Sequence, residues 1–182
     1  MYFRLFPSLQ YTLDNKASFQ TIEDILRRVL IKNDYKINRS SYQLYDIVDG
    51  ETPEIVAHKF YSNTGYHWII LHANEIIDPR FDWLMSEYDL QMYCKEKYGE
   101  GNVYALHHYE WVINADTDAE KRLVLTPEQK EFLGPEETIN YTETISNYEY
   151  ESRLNEEKRT IRIPVKELVE AIKKEFSSII KE

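Results

Sequence analysis

Cysteine is almost missing from this 182-residue chain: Cys94 stands alone, which excludes an internal disulfide and any multi-cysteine metal site and suits a reducing compartment. Glycine is scarce as well, with five residues. Neither Gly-x-Gly-x-x-Gly nor the P-loop pattern occurs among them, so no phosphate-cradling loop of either type is encoded. There is no Gly-x-Ser-x-Gly elbow to raise a serine nucleophile. Cations are outnumbered, 22 Lys and Arg against 32 Asp and Glu, for a net charge of −10. The main basic pairs, Arg27-Arg28, Lys121-Arg122 and Lys158-Arg159, are too small to track a phosphate backbone by counterion release, which argues against a nucleic-acid partner. No apolar run approaches the length that spans a bilayer, so no membrane partner is expected. The opening Met1-Tyr2-Phe3-Arg4-Leu5-Phe6-Pro7 lacks the apolar core of a signal peptide, and the expectation is an unprocessed product made in the cytoplasm.

The residues that remain for chemistry do not assemble into a known pattern. His58, His67 and His72 fall on two predicted helices at spacings that stack no pair on one face, unlike an i, i+4 ligand set. His107-His108 followed by Glu110 can present His108 and Glu110 on one strand face, with no third ligand in view. Cys94 lies inside a predicted helix, where a cysteine serves as a small buried hydrophobe. Glu136-Glu137 and Glu156-Glu157 sit in hydrophilic stretches and read as solvated charge, unlike the carboxylate pair of a glycosidase. The sequence thus predicts no catalytic residue, no cofactor, no metal and no small-molecule substrate.

What is present in quantity is tyrosine, 15 residues in a chain that is 14% aromatic. Tyrosine suits a surface half-buried against a partner, because its ring adds contact area while its hydroxyl tolerates water; a Tyr-rich core edge is the other reading. The densest local signal runs from Tyr42 to Trp83. Tyr42, Leu44, Asp46 and Val48 alternate with Gln43, Tyr45 and Ile47, then Asp49-Gly50 marks a tight turn. Thr52 can cap a helix, Pro53 suits its first position and Glu54 the positive end of its dipole. Ile55, Val56 and Phe60 give that helix an inner face, Asn63-Thr64-Gly65 breaks it, and a second helix carries Trp68, Ile69, Leu71 and His72 toward Asn74 before Asp78-Pro79 stops it.

Around this segment the chain is organised loosely. Residues 1–41 are expected to be an extended arm followed by a helix from Thr21, with Ile22, Ile25, Leu26, Val29 and Leu30 on one face. Residues 86–113 read as a helix, capped by Ser86 and closed at Gly99, and an aromatic strand. Residues 114–147 are polar, with the low hydrophobicity of a mobile or partner-ordered insertion. Residues 148–182 read as a helix, a strand at Arg159-Thr160-Ile161-Arg162-Ile163, and a final helix from Pro164. There Val165, Leu168, Val169, Ile172, Phe176 and Ile179 form a narrow apolar stripe that must be buried against something. The fold class is α+β.

The order strand, Asp-Gly-Glu-Thr-Pro, Ile-Val-Ala-His-Lys-Phe-Tyr, Trp-Ile-Ile-Leu-His-Ala-Asn, Asp-Pro resembles the LysM fold, in which two helices pack on a two-stranded antiparallel sheet. The resemblance implies a module over 42–85 with Tyr42, Leu44, Ile55, Val56, Phe60, Trp68 and Leu71 as its core and Pro79 to Leu84 as its second strand. With Thr21 to Arg28 ahead of it, Tyr88 to Tyr98 after it and Tyr150 to Ile163 leading into the last helix, the whole resembles the baseplate wedge proteins of contractile-tailed bacteriophages that carry a LysM-like domain. That likeness implies a non-enzymatic virion component of the tail baseplate, clamping other wedge subunits together beside the sheath-proximal baseplate protein. It offers Leu168, Ile172, Phe176 and Ile179 with Arg27 and Arg28 as candidate interface residues. The alternatives are a LysM-type module for peptidoglycan or chitin in a phage lytic system, with Gly50 to Pro53 and Ile76 to Pro79 at the glycan positions, and an enzyme of unrecognised type.

Overall fold

The computed structural model describes residues 6–12, 19–24, 39–114, 120–133 and 140–180. In chain order the strands are β1 (Ser8–Tyr11), β2 (Gln20–Glu23), β3 (Tyr42–Asp46), β4 (Leu106–Ile113), β5 (Lys121–Leu125), β6 (Asn140–Ser146) and β7 (Thr160–Pro164). The helices are α1 (Pro53–Tyr61), α2 (His67–Ala73), the single-turn α3 (Pro79–Asp82), α4 (Glu87–Tyr98), α5 (Pro127–Glu131), α6 (Asn147–Glu156) and α7 (Lys166–Ile179). The class is α+β, as expected. Two compact units divide the chain, one made of residues 1–83 with 159–182 and the other of residues 84–158.

The first unit is closed by a pairing that no local pattern announces. β3 runs antiparallel to β7, with Tyr45 opposite Ile161 and Leu44 opposite Arg162. The expected second strand at Pro79 to Leu84 is a correction: Asp78 accepts from the Arg80 N–H at 3.1 Å and Pro79 takes the first helical position, so α3 forms there instead. The register also corrects the inner face of β3. Ile47, Ile161 and Ile163 are buried, whereas Leu44 is 67% exposed and Tyr42 half-buried on the outer face, where the Arg162 guanidinium lies 5.3 Å from the Tyr42 ring centre.

α1 begins with Pro53, as the sequence predicts, though the Thr52 side chain forms no capping hydrogen bond. Its buried side chains are Pro53, Val56, Ala57 and Tyr61, spaced for one helical face. Ile55 lies off that face and is exposed, and Phe60 is half-buried against Tyr45 with ring centres 5.0 Å apart. Ser62, at φ 57°, ends the helix in the left-handed region. In α2, Trp68, Ile69 and Ile70 are buried and Leu71 half-buried.

α7 packs its stripe inside this same unit. Val169, Ile172, Phe176 and, just past the helix, Ile180 are buried. The Phe176 ring sits 4.7 Å from that of Trp68, 6.0 Å from His72 and 6.1 Å from Phe6. Pro164 ends β7 and the helix begins at Lys166, two residues later than expected. At the other end of the chain, Gln20–Glu23 is a strand paired with Ser8–Tyr11, where the sequence suggested the start of a helix at Thr21. The remainder of that expected helix lies outside the described residues.

In the second unit the sheet order is β5-β4-β6, all antiparallel. Leu90, Cys94 and Val103 form a core with Met85, Tyr93, Tyr98 and Tyr148 against it. Ser86 caps α4 by accepting from the Asp89 N–H, and the helix gives way at Gly99, φ 84°, both as read from the sequence. The expected polar insertion over 114–147 is corrected for its described part: Lys121–Leu125 and Asn140–Ser146 are the two flanking strands of the sheet. β4 supplies the backbone partners of both.

Candidate protein-interaction surfaces

The residues singled out for an interface have separate fates. Ile172 and Phe176 are consumed in the first unit's own core, which corrects their expected role as anchors on a partner. Leu168 is half-buried and Ile179 exposed, while Arg27 and Arg28 lie outside the described residues. Of the expected core, Val56 and Trp68 are buried, Tyr42, Phe60 and Leu71 half-buried, and Leu44 and Ile55 exposed.

The turn between β3 and α1 is closed by Glu51. One carboxylate oxygen accepts from the Tyr45 hydroxyl at 2.6 Å and the Val48 N–H at 3.1 Å, the other from Lys59 Nζ at 3.3 Å. Burial pushes the Glu51 pKa up, but these three donors outweigh it and hold the carboxyl below its ordinary range. The Trp83 indole N–H donates to the Glu51 carbonyl at 2.7 Å, which ties residue 83 back to the start of α1. The two glycan positions suggested by the LysM resemblance therefore do not both stand open: at the first, the Glu51 side chain is taken up by the protein itself.

Two asparagines act as clamps on extended backbone. Asn74, at the end of α2, donates from its side-chain amide to the Arg162 carbonyl and accepts from the Arg162 N–H, both at 2.8 Å. Leu44 stands opposite Arg162, so the carboxamide occupies the outer edge of β7 as a further strand's peptide group would. In the second unit Asn155 accepts from the Met85 N–H at 2.9 Å and donates to the Met85 carbonyl at 3.0 Å. Asn155 belongs to a row, Asn147, Glu151, Asn155, that is buried on α6 at four-residue spacing. Glu151 there accepts from Lys97 at 2.7 Å and from Tyr98 at 2.6 Å; burial raises its pKa, and these partners more than reverse the effect. Sequence reasoning missed this row because it searches a helix for an apolar inner face.

The sheet of the second unit carries a dense ionic cluster toward α6. Glu110 accepts from Arg153 at 2.7 Å, Arg122 at 3.0 Å and His108 at 3.1 Å. Burial alone would raise its pKa, yet Arg153, His108 and Arg122 bring it down to about 2. Glu143, directly across the strand pair, is bonded by both arginines as well, so two facing carboxylates are neutralised together. The predicted juxtaposition of His108 and Glu110 is thus present. A register shift between Leu106 and His108 also turns His107 toward its neighbour, with the two Nδ1 atoms 2.7 Å apart and the His107 ring stacked 4.1 Å from Tyr150. Among the described residues no three His, Cys, Asp or Glu side chains are placed to hold a metal ion.

Apolar side chains, in contrast, are left open on strands. The second sheet's other face holds Tyr109, Trp111, Ile113 and Leu125 half-buried and Leu123 exposed. The outer face of β3 exposes Leu44, and both strands of the β1–β2 ribbon are exposed throughout. Ionisable groups closed into pairs beside uncovered apolar strands make the surface of a subunit built into an assembly. The chain belongs to the phage family described as Base plate wedge protein 53, whose model matches residues 1–179. It is similar to the baseplate wedge protein gp53 of Enterobacteria phage T4, at 29% identity over 92 residues, 48% of this chain and 46% of that protein. The match therefore spans about half the length of that relative. Membership makes this a structural protein of the bacteriophage virion, in the tail baseplate.

Proposed function

We propose that this chain is a non-catalytic clamp that ties wedge subunits to one another as the baseplate of a contractile tail is assembled, in contact with the sheath-proximal baseplate protein. The observation that carries the proposal is the family match over nearly the whole chain. The closure of Glu51, Glu110 and Glu151 into ion pairs supports it, since a carboxylate held ionised by two or more donors is poorly placed to move protons. We further propose that β3, α1, α2 and β7 form a LysM-like module adapted to protein contact, its second strand supplied by residues 160–164 after the insertion of residues 84–158. Synthesis in the host cytoplasm followed by incorporation into the virion fits this role.

Mixing the purified chain with purified wedge subunits of the same phage and sizing the products by sedimentation velocity tests the proposal. A stoichiometric complex that incorporates the chain is expected. Titration with a chitin pentamer serves as the counter-test and should give no saturable heat. Saturable micromolar binding of the glycan, with no wedge complex, would replace the clamp by the glycan-binding alternative.

A further inference from the structure

The β1–β2 ribbon has two chemically distinct faces. The register sets Leu9 opposite Ile22 and Tyr11 opposite Gln20 on one side, and Ser8 opposite Glu23 and Gln10 opposite Thr21 on the other. One face therefore carries the apolar side chains Leu9, Tyr11 and Ile22 beside Gln20, and the other is wholly polar. Neither is covered: Leu9 is 44% exposed, Ile22 43% and Tyr11 52%. At its base the Asp24 N–H donates to the Pro7 carbonyl at 2.8 Å, which closes the ribbon, and Phe6 packs against Phe176. A two-stranded ribbon with an exposed apolar face is marginally stable in water and is stabilised by a layer laid against that face.

Size and charge select the layer. Four residues on each of two strands span roughly 13 Å by 10 Å, so two ribbons stacked face to face would bury an area several-fold below the roughly 800 Å² per partner of a stable interface. Two copies of a chain with a net charge of −10 would also repel. The described residues 6–12 and 19–24 include Glu23 and Asp24 and no lysine or arginine. Resting on the wedge reading above, we infer that the ribbon's Leu9, Tyr11 and Ile22 face docks into an apolar groove of a different protein subunit, one that carries lysine or arginine around the groove, opposite in sign to this acidic chain.

The test uses the full chain and each purified wedge subunit of the same phage as probe, with affinities from sedimentation or interferometry. Leu9→Ser/Ile22→Ser should weaken binding to one subunit at least tenfold, and binding of the wild-type chain should weaken as salt is raised. The polar-face variant Ser8→Ala/Thr21→Ala should bind within twofold of wild type. Both variants should keep the wild-type circular dichroism and melting profile, because the altered side chains are exposed. Undiminished binding by the first variant, or equal weakening by the polar-face variant, overturns the docking face while leaving the wedge role intact. Failure of the wild-type chain to bind any wedge subunit overturns the wedge role and the inference with it. Concentration-dependent self-association that is lost in Leu9→Ser/Ile22→Ser would identify a second copy as the occupant and also overturn the inference.

Discussion

Replacing Asn74 by alanine removes three hydrogen bonds from one side chain: to the Ile70 carbonyl, to the Arg162 carbonyl and from the Arg162 N–H, each 2.8 Å long. Net contributions of about 0.5–1.5 kcal/mol per bond would sum to roughly 1.5–4.5 kcal/mol if nothing replaced them. Arg162 is exposed, so water can take over part of the loss, and about 1–2 kcal/mol is the expected cost. Because the chain has two units, a global melting curve is a blunt readout, and hydrogen exchange of the Arg162 amide is the sharper one. That amide should exchange about 5- to 30-fold faster in Asn74→Ala, a tenfold change corresponding to about 1.4 kcal/mol. The Ile47 amide, bonded to the Arg159 carbonyl at 2.9 Å in the same sheet, should change much less. Asn74→Asp separates the two halves of the clamp: the carboxylate can still accept from Arg162 but faces two carbonyls to which it cannot donate, so it should be at least as disruptive as alanine. An Arg162 amide equally protected in all three proteins would refute the edge-clamp reasoning.

Trp68→Ala should cost on the order of 3–5 kcal/mol, because the indole fills the space between α2 and Phe176; an unchanged melting temperature would contradict that packing. Glu110 sets an acid limit. Its folded pKa of about 2 lies below the ordinary 4.5, so its ion pairs contribute fully above pH 4.5 and their contribution is lost as pH falls toward 2. In Glu110→Gln the acid-induced loss of stability between those pH values should be smaller, as read from denaturant midpoints. Cys94 is fully buried, and burial, reinforced by Glu151, pushes its thiol pKa up, so Ellman's reagent should react with it only on unfolding; rapid labelling of the native protein would place the thiol at the surface.

Local chemistry was legible in the sequence and long-range pairing was not. Pro53 at the start of α1, Ser86 with Asp89 at the start of α4 and Gly99 at its end are signals held within a few residues, and each stands where it was read. By composition Tyr42 and Leu44 look like the inner set of β3, yet they lie on its outer face. The choice is made instead by Ile161 and Ile163, more than a hundred residues away. The stripe on α7 shows in the sequence that it needs cover, but a stripe carries no record of whether its cover is Trp68 of the same chain or another subunit. The buried Asn147, Glu151 and Asn155 follow helical spacing faithfully, yet in polar residues, which a search for apolar periodicity passes over. His107 turned beside His108 through a register shift that alternation alone cannot foresee.

The pairing of β3 with β7 also imposes an order on the birth of the protein. Asp46 and Thr160, joined by a 2.7 Å side-chain hydrogen bond, are 114 residues apart. At a synthesis rate of about 5–20 residues per second, β3 is made roughly 6–23 seconds before its partner strand. Residues 84–158 are complete before β7 is, so the inserted unit can reach its native state while the enclosing one is still waiting. Once folded, the insertion replaces a long flexible loop by a compact bridge, which lowers the entropy cost of bringing β7 to β3. A chain truncated after Lys158 and released from the ribosome should therefore protect the amides of β4 and β6 while those of β3 remain open to exchange.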